Sequence, residues 1–251
     1  MTHKELDTYL LAEKSFNSRL IGKNDKKLSA QDFLYFDTYY RFKRLLIFLE
    51  KWKIKFEKSK WIDLGCGPAT FISILLNKFN VKDITGIDQW NLKEQIDWLD
   101  FKYFCVNIED DFTKSTDADY DIVSCLEVLE HMIDTDKFLT RCKSILKKEG
   151  FLILTTPYIN SLRNRITVPF GVYPSPMEYK DVIRHVRIYN VQKLKLHLKE
   201  HNFEVIKLVG VNFLPTKLLK YKFFRAISEK LADYLPQLCP NVCVIAKNIK
   251  E

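Results

Sequence analysis

The run Trp61-Ile62-Asp63-Leu64-Gly65-Cys66-Gly67-Pro68 constrains the fold more than any other part of the chain. An apolar stretch of this length, bounded by glycine, reads as a buried strand. The two glycines mark a turn that needs backbone conformations closed to other residues, and Pro68 fits the first position of a following helix. Such a unit lets a ligand approach the backbone closely and meet the free N–H groups of a helix start. Only 7 of the 251 residues are glycine, so two of them within three positions are informative. Position 70, where a dinucleotide fingerprint needs its third glycine, is threonine, which excludes that motif. Asp63, two residues before the first glycine, would repel a pyrophosphate and suits a cationic ligand.

Further apolar runs follow at Ile84–Ile87, Tyr103–Val106, Ile122–Leu126 and Phe151–Leu154, separated by helix-like stretches. Strands alternating with helices predict an α/β fold with a mostly parallel sheet. Gly150 reads as the C-cap of the helix before the fifth strand. Val191–Glu200 resumes a helix, and Phe203–Val209 and Asn241–Ala246 read as the last two strands. Before the first strand, Phe42, Leu45, Leu46 and Leu49 recur at helical spacing. The expected organisation is an N-terminal helical cap over 1–58 and one domain over 59–251, with insertions at 157–188 and 211–238. The first insertion holds four prolines and reads as a lid; the second holds an amphipathic segment, Thr216–Leu235.

The net charge of +8 is unevenly spread. Residues 61–156 hold 10 basic against 17 acidic residues, whereas 1–60 hold 14 against 8 and 157–251 hold 16 against 7. The acidic middle suits a cation and the basic flanks an anionic partner. No uncharged stretch reaches the roughly 18 residues of a membrane span (Phe151–Leu162 stops at Arg163), and the charged first ten residues lack the apolar core of a signal peptide. The six scattered cysteines include no C-x-x-C pair, so they read as reduced core residues of a cytoplasmic protein.

Asp88, at the end of the second apolar run and 21 residues after Gly67, is placed to accept two hydrogen bonds from a ribose diol. With the Asp63–Gly65–Gly67 loop, it makes residues 40–210 resemble the class I S-adenosylmethionine-dependent methyltransferases. The resemblance implies a Rossmann-like three-layer αβα sandwich with a seven-stranded sheet of order 3-2-1-4-5-7-6, strand 7 antiparallel. It implies S-adenosylmethionine (SAM) as cofactor, with Asp63, Gly65, Cys66 and Gly67 around the methionine part and Asp88 on the ribose. Gln89 would lie beside the adenosine, Asn107 and Ile108 at the adenine corner, and Leu126 at the end of strand 4. Arg44 sits where some relatives place an arginine on the cofactor carboxylate. Ala69 stands where the loop often has a third glycine.

Strand 4 runs into Glu127-Val128-Leu129-Glu130-His131, opening a loop at the edge where parallel sheets bind ligands. Glu127 and Glu130 share a face on a helical turn, and a second histidine follows in Arg184-His185-Val186-Arg187. Three readings stay open: local hydrogen bonding only, His131 or His185 as general base, and a divalent metal site. Histidine suits the base because its ordinary pKa is near 6.5. The metal is the less favoured reading. It rests on resemblance to an E-x-x-E-H subgroup that includes ubiquinone-pathway O-methyltransferases and small-RNA 2′-O-methyltransferases. Its ligands would be Glu127, Glu130, His131 and His185. His197 and His201, on a lysine-rich helix, read as solvated.

The lid, with Ser161-Leu162-Arg163-Asn164-Arg165 and the His185-x-Arg187 turn, resembles methyltransferases of bacterial surface-glycan clusters. The expected acceptor is therefore a small sugar-like or anionic molecule, such as a precursor of a surface polysaccharide, methylated on a hydroxyl. Competing readings are a polyprenyl-quinone O-methyltransferase touching a membrane through 217–235, an RNA 2′-O-methyltransferase, and a non-catalytic scaffold. Nucleic acid is disfavoured because no RNA-binding module is visible.

Overall fold

The computed structural model describes residues 41–42, 44–49, 56–97, 99–175, 185–215, 218–219 and 221–249. Seven strands, β1 Lys60–Leu64, β2 Asp83–Asp88, β3 Lys102–Cys105, β4 Tyr120–Leu126, β5 Leu146–Pro157, β6 Phe203–Gly210 and β7 Asn241–Asn248, form one sheet. Its order is 3-2-1-4-5-7-6. β1 pairs parallel with β2 and β4, as do β2 with β3 and β4 with β5, whereas β7 runs antiparallel to β5 and β6. Among the described residues after β1, five helices follow: α1 Thr70–Phe79, α2 Thr135–Ile145, α3 Leu162–Thr167, α4 Val191–Glu200 and α5 Lys222–Tyr234.

The apolar runs have a simple cause. Alternate residues of the central strands enter different apolar layers, so both faces must be apolar. Trp61, Ile122, Ile153, Cys243 and Ile245 pack in one layer. Ile62, Leu64, Val123, Cys125, Leu152, Leu154, Val242 and Val244 pack in the other. Residues 41–42 and 44–49 are helical, and Leu45, Leu46 and Leu49 join the first layer with Phe71 and Ile72. The rest of the expected N-terminal cap (residues 1–40, 43 and 50–55) lies outside the described residues.

Gly150 is not a helix cap. α2 ends at Ile145, its C-cap Leu146 is already extended, and β5 starts there. Gly150 lies within β5, where an added Cβ would stand 3.0 Å from Lys147 O and 3.1 Å from Asp121 O. The left-handed residue in this stretch is Glu149, at φ 66°. The glycine thus allows close backbone packing beside the register shift between Tyr120 and Ile122. Within the lid, Ser161 caps α3 by accepting from Asn164 N; residues 176–184 lie outside the described residues.

The chain goes outward from β1 to β2 and β3, and on the other side from β4 to β5. Sequence order reverses between β1 and β4, and the crevice at their carboxyl ends is where such sheets bind ligands. Leu152, fully buried in the centre of the sheet, tests the core. Leu152→Ala should lower unfolding free energy by about 2–5 kcal/mol, read from a lower urea midpoint at unchanged slope.

Candidate active site

The glycine loop is tied to the end of β2. Gly65 N and Cys66 N donate to Ile87 O (2.8 and 2.9 Å), and Gly67 N donates to Asp88 Oδ2 (2.8 Å). Gly65 and Gly67 have φ of 73° and 50°. A Cβ on Gly65 would stand 2.6 Å from Val128 Cγ2, whereas one on Gly67 would meet nothing within 4 Å. Gly65 is therefore fixed by packing, while Gly67 faces open space that a ligand can use. Pro68 precedes the N-cap, Ala69, instead of holding the first helical position, because Ala69 is itself left-handed at φ 56°.

Beneath the loop, Asp63 is buried and accepts the Ser124 hydroxyl (2.5 Å). Ser124 Oγ in turn accepts from Trp61 Nε1 (2.9 Å), so the tryptophan orients the hydroxyl toward the carboxylate. Burial pushes Asp63 from its ordinary 3.8 up to about 7; Ser124 opposes this and Asp88 adds to it. A carboxyl poised near neutrality and supported by one hydroxyl fits a cationic group. Asp88 is buried at the end of β2, where its Oδ1 accepts from Trp90 N (3.1 Å). Each of its oxygens accepts one backbone N–H and keeps a lone pair for a diol.

The other expected cofactor residues gather at the same edge. Cys66 is buried, its thiol pushed far up by burial. Gln89 is exposed just past β2. Asn107 Oδ1 accepts from Glu109 N (3.0 Å), closing the turn after β3. Ile108 is buried near Gly65, and Leu126 is half-buried at the end of β4.

Arg44 does something different from the expectation. Its Nε donates to Gly210 O (3.1 Å) and its Nη2 pairs with Asp233, so it joins the end of β6 to α5. Arg41, one helical turn earlier, reaches the end of β4 instead: its Nη1 lies 2.8 Å from Glu127 Oε2.

Glu127 adopts a left-handed backbone (φ 58°), and its N–H meets both Thr155 O and Thr155 Oγ1 at 3.0 Å. This kink turns the chain into the single turn Leu129–His131. Glu130 within it is 1% exposed, and neither carboxyl oxygen has a hydrogen-bond partner. Burial, and then Glu127, push its pKa well above the ordinary carboxylate range, against the pull of Arg41. The His131 and His185 rings lie 5.0 Å apart, and Arg187 N donates to Glu130 O (3.0 Å), which holds the His185 segment there. Among the described residues, Glu130, His131 and His185 each offer one ligand atom, all within 4.8 Å of one another. Glu127, the fourth ligand the resemblance implies, lies outside this group and pairs with Arg41 through Oε2.

His197 and His201 are not simply solvated. Their side chains are 15% and 16% exposed, and both Nε2 atoms lie against Asp136 Oδ1, at 3.0 and 2.9 Å. Sequence reasoning also missed Ser124 and Arg41. Ser124 had no signal, and Arg41 differs from Arg44 only by one helical turn.

Two outcomes test this geometry. A carboxyl whose pKa is about 7 folded and 3.8 unfolded adds stability that is complete below pH 4 and lost as pH rises through 7. Wild-type stability, followed by urea unfolding, should therefore fall between pH 4 and 7 relative to Asp63→Asn. Arg44→Met should cost about 1–3 kcal/mol in the same assay while changing SAM affinity less than about threefold, since its bonds serve β6 and α5.

The profile of the methyltransferase-domain family matches residues 35–208. The ubiquinone biosynthesis O-methyltransferase of Glaesserella parasuis is 25% identical over 168 residues, covering 62% of this chain and 70% of that protein. Its counterpart from Rickettsia typhi is 26% identical over 188 residues, covering 68% and 71%. Among solved structures, magnesium protoporphyrin IX methyltransferase from Synechocystis PCC 6803 with bound SAH superposes with a TM-score of 0.59 at 13% identity, covering 96% of each chain. A SAM-dependent methyltransferase from Archaeoglobus fulgidus superposes with a TM-score of 0.54 at 20% identity, covering 85% of this chain and 99% of that one. With the family profile spanning most of the chain and the glycine loop closed on Asp88, the chain belongs to the methyltransferase-domain family and is a SAM-dependent methyltransferase.

Proposed function

We propose that this protein transfers a methyl group to a hydroxyl oxygen of its acceptor, and that His131 or His185 takes the hydroxyl proton. The observation that carries this reading is the pair of imidazoles 5.0 Å apart at the carboxyl end of β4, one connection away from the glycine loop. When bound, SAM supplies a methyl group on a positively charged sulfur, which is already activated for direct displacement. The chain then has three tasks. The glycine loop, Asp63 and Asp88 hold the donor; the lid positions the acceptor; a histidine removes one proton. Glu130, its pKa raised by burial, is placed to offer a hydrogen bond to acceptor or imidazole. A divalent ion on Glu130, His131 and His185 is a second reading, favoured by the two unpartnered Glu130 oxygens.

The acceptor, on this reading, has an apolar part. The described portion of the lid exposes Ile166, Val168, Phe170, Val172 and Tyr173 together, an unusual concentration for a surface meeting only water. This supports a quinone-type acceptor, in line with the names of the curated relatives. A sugar-like or phosphate-bearing acceptor is supported by Arg163, which is exposed on α3 of the same lid. Methylation assays with a catechol-type quinone precursor and with sugar phosphates separate the two.

His131→Gln and His185→Gln test the proton transfer. At least one should lower kcat by about 100- to 10000-fold while leaving the SAM dissociation constant within about threefold. Full activity in both variants overturns the base assignment, and absence of SAM binding by calorimetry overturns the catalytic reading.

A further inference from the structure

We propose that Asp136, His197 and His201 form a binding site for one divalent transition-metal ion of the zinc class, lying between the start of α2 and the end of α4. Nothing in methyl transfer calls for this cluster. It is built from His197 in the last turn of α4, His201 at that helix's C-cap, and a carboxylate 61 positions before His197. Two imidazoles at i and i+4 on a helix, completed by a carboxylate, are a donor set that suits zinc.

Geometry carries the proposal. The Nε2 atoms of His197 and His201 converge on the same oxygen, Asp136 Oδ1, at 3.0 and 2.9 Å, and the three donors lie within 4.8 Å of one another. Donors about 2.0–2.1 Å from a shared ion stand roughly 2.9–3.4 Å apart, so little movement is needed to admit one. The outward ring nitrogens are also fixed, as metal-binding imidazoles require. His197 Nδ1 lies 3.0 Å from Tyr189 Oη, and the two rings stack at an interplanar angle of 17°. His201 Nδ1 lies 3.3 Å from Thr140 Oγ1.

Hydrogen counting points the same way. Thr140 has one hydroxyl hydrogen and donates it to Asp136 O at 2.8 Å. Toward His201 it can only accept, so His201 Nδ1 carries the hydrogen of the neutral ring. His201 Nε2 then presents a lone pair to the carboxylate 2.9 Å away. Two lone pairs at that distance repel unless a cation, either a metal ion or a second ring proton, lies between them. Asp136 and His197 also line a groove of about 470 Å³ together with Arg187, Tyr189 and Glu200, which leaves room for water to complete the coordination. An ion here would clip α4 to α2 and, through His197 and Tyr189, steady the segment that carries His185.

The test uses the full-length protein stripped with chelator and titrated calorimetrically with zinc chloride alone. A His131→Gln/His185→Gln background removes the other cluster from the count. One equivalent should bind with a dissociation constant of about 1–10 μM. His197→Gln and His201→Gln should each weaken binding at least about 100-fold. Asp136→Asn changes a side chain that is 74% exposed and so probes the site without disturbing packing. It should weaken zinc as well and abolish the zinc-induced rise in melting temperature. Cobalt substitution should give visible bands without thiolate charge transfer. Binding that survives in Asp136→Asn and in both His→Gln variants, a thiolate signature, or no zinc binding in the starting protein would overturn the proposal.

Discussion

A buried carboxylate under a glycine turn shapes most of what this protein can bind. Asp63 sits in the central strand of a parallel sheet, where an isolated ionised carboxylate is costly unless it is paired. The protein supplies one hydroxyl, from Ser124, and places a second acid, Asp88, close enough to raise the pKa further. A chain selected only for stability would replace Asp63 with an apolar residue that completes the layer holding the neighbouring strands. A ligand that brings positive charge would offset that cost, and the SAM used by this family is such a ligand. The two left-handed glycines follow from the same need. They bend the backbone sharply over the carboxylate and leave open space at Gly67.

A similar tension recurs on the neighbouring strand. Glu127 and Glu130 bring two more acids to the same sheet edge, and the protein resolves them unequally. Glu127 is paired with Arg41 through one oxygen, while Glu130 is buried without a hydrogen-bond partner and burial pushes its pKa well above the ordinary carboxylate range. A buried acid whose pKa is strongly raised is a recurrent feature of sites that handle protons. The acidic middle of the sequence therefore combines an acid buried on a hydroxyl, an acid paired with an arginine and an acid buried without a partner. The summed charge of that region could not distinguish these three states.

The sheet was legible because its cause is local. Strands buried on both faces must be apolar at nearly every position, and only a parallel sheet imposes that on so many short runs. The glycine loop and Asp88 were legible for a related reason: turn geometry and strand length fix their spacing. What the sequence hid depends on distant partners. Arg41 and Arg44 lie one turn apart on one helix, and only the packing of α5 and β6 decides which arginine reaches which acid. Gly150 looked like a helix end because nothing local reveals that β5 begins five residues sooner. His197 and His201 looked solvated because their shared acid, Asp136, is 61 and 65 positions away.

The His131–His185 pair shows how such distant contacts bring two side chains together. His131 follows Glu130 directly, but His185 belongs to a segment that must be carried across from the lid. That segment is fastened by its backbone and by its neighbours. Arg187 N bonds Glu130 O, Arg187 Nη2 bonds Ile133 O (2.6 Å), Tyr189 bridges to Tyr158, and the Tyr189 hydroxyl reaches His197. Two arginine contacts that a charge count assigns to an anionic acceptor, Arg187 to Ile133 O and Arg165 to Asn160 O, instead hold loop carbonyls. Part of the basic character of the flanks is therefore structural: it fastens the lid and the histidine segment to the sheet edge. The charge left over for an acceptor is smaller than the sequence total implies, and the apolar side chains the lid exposes gain weight accordingly.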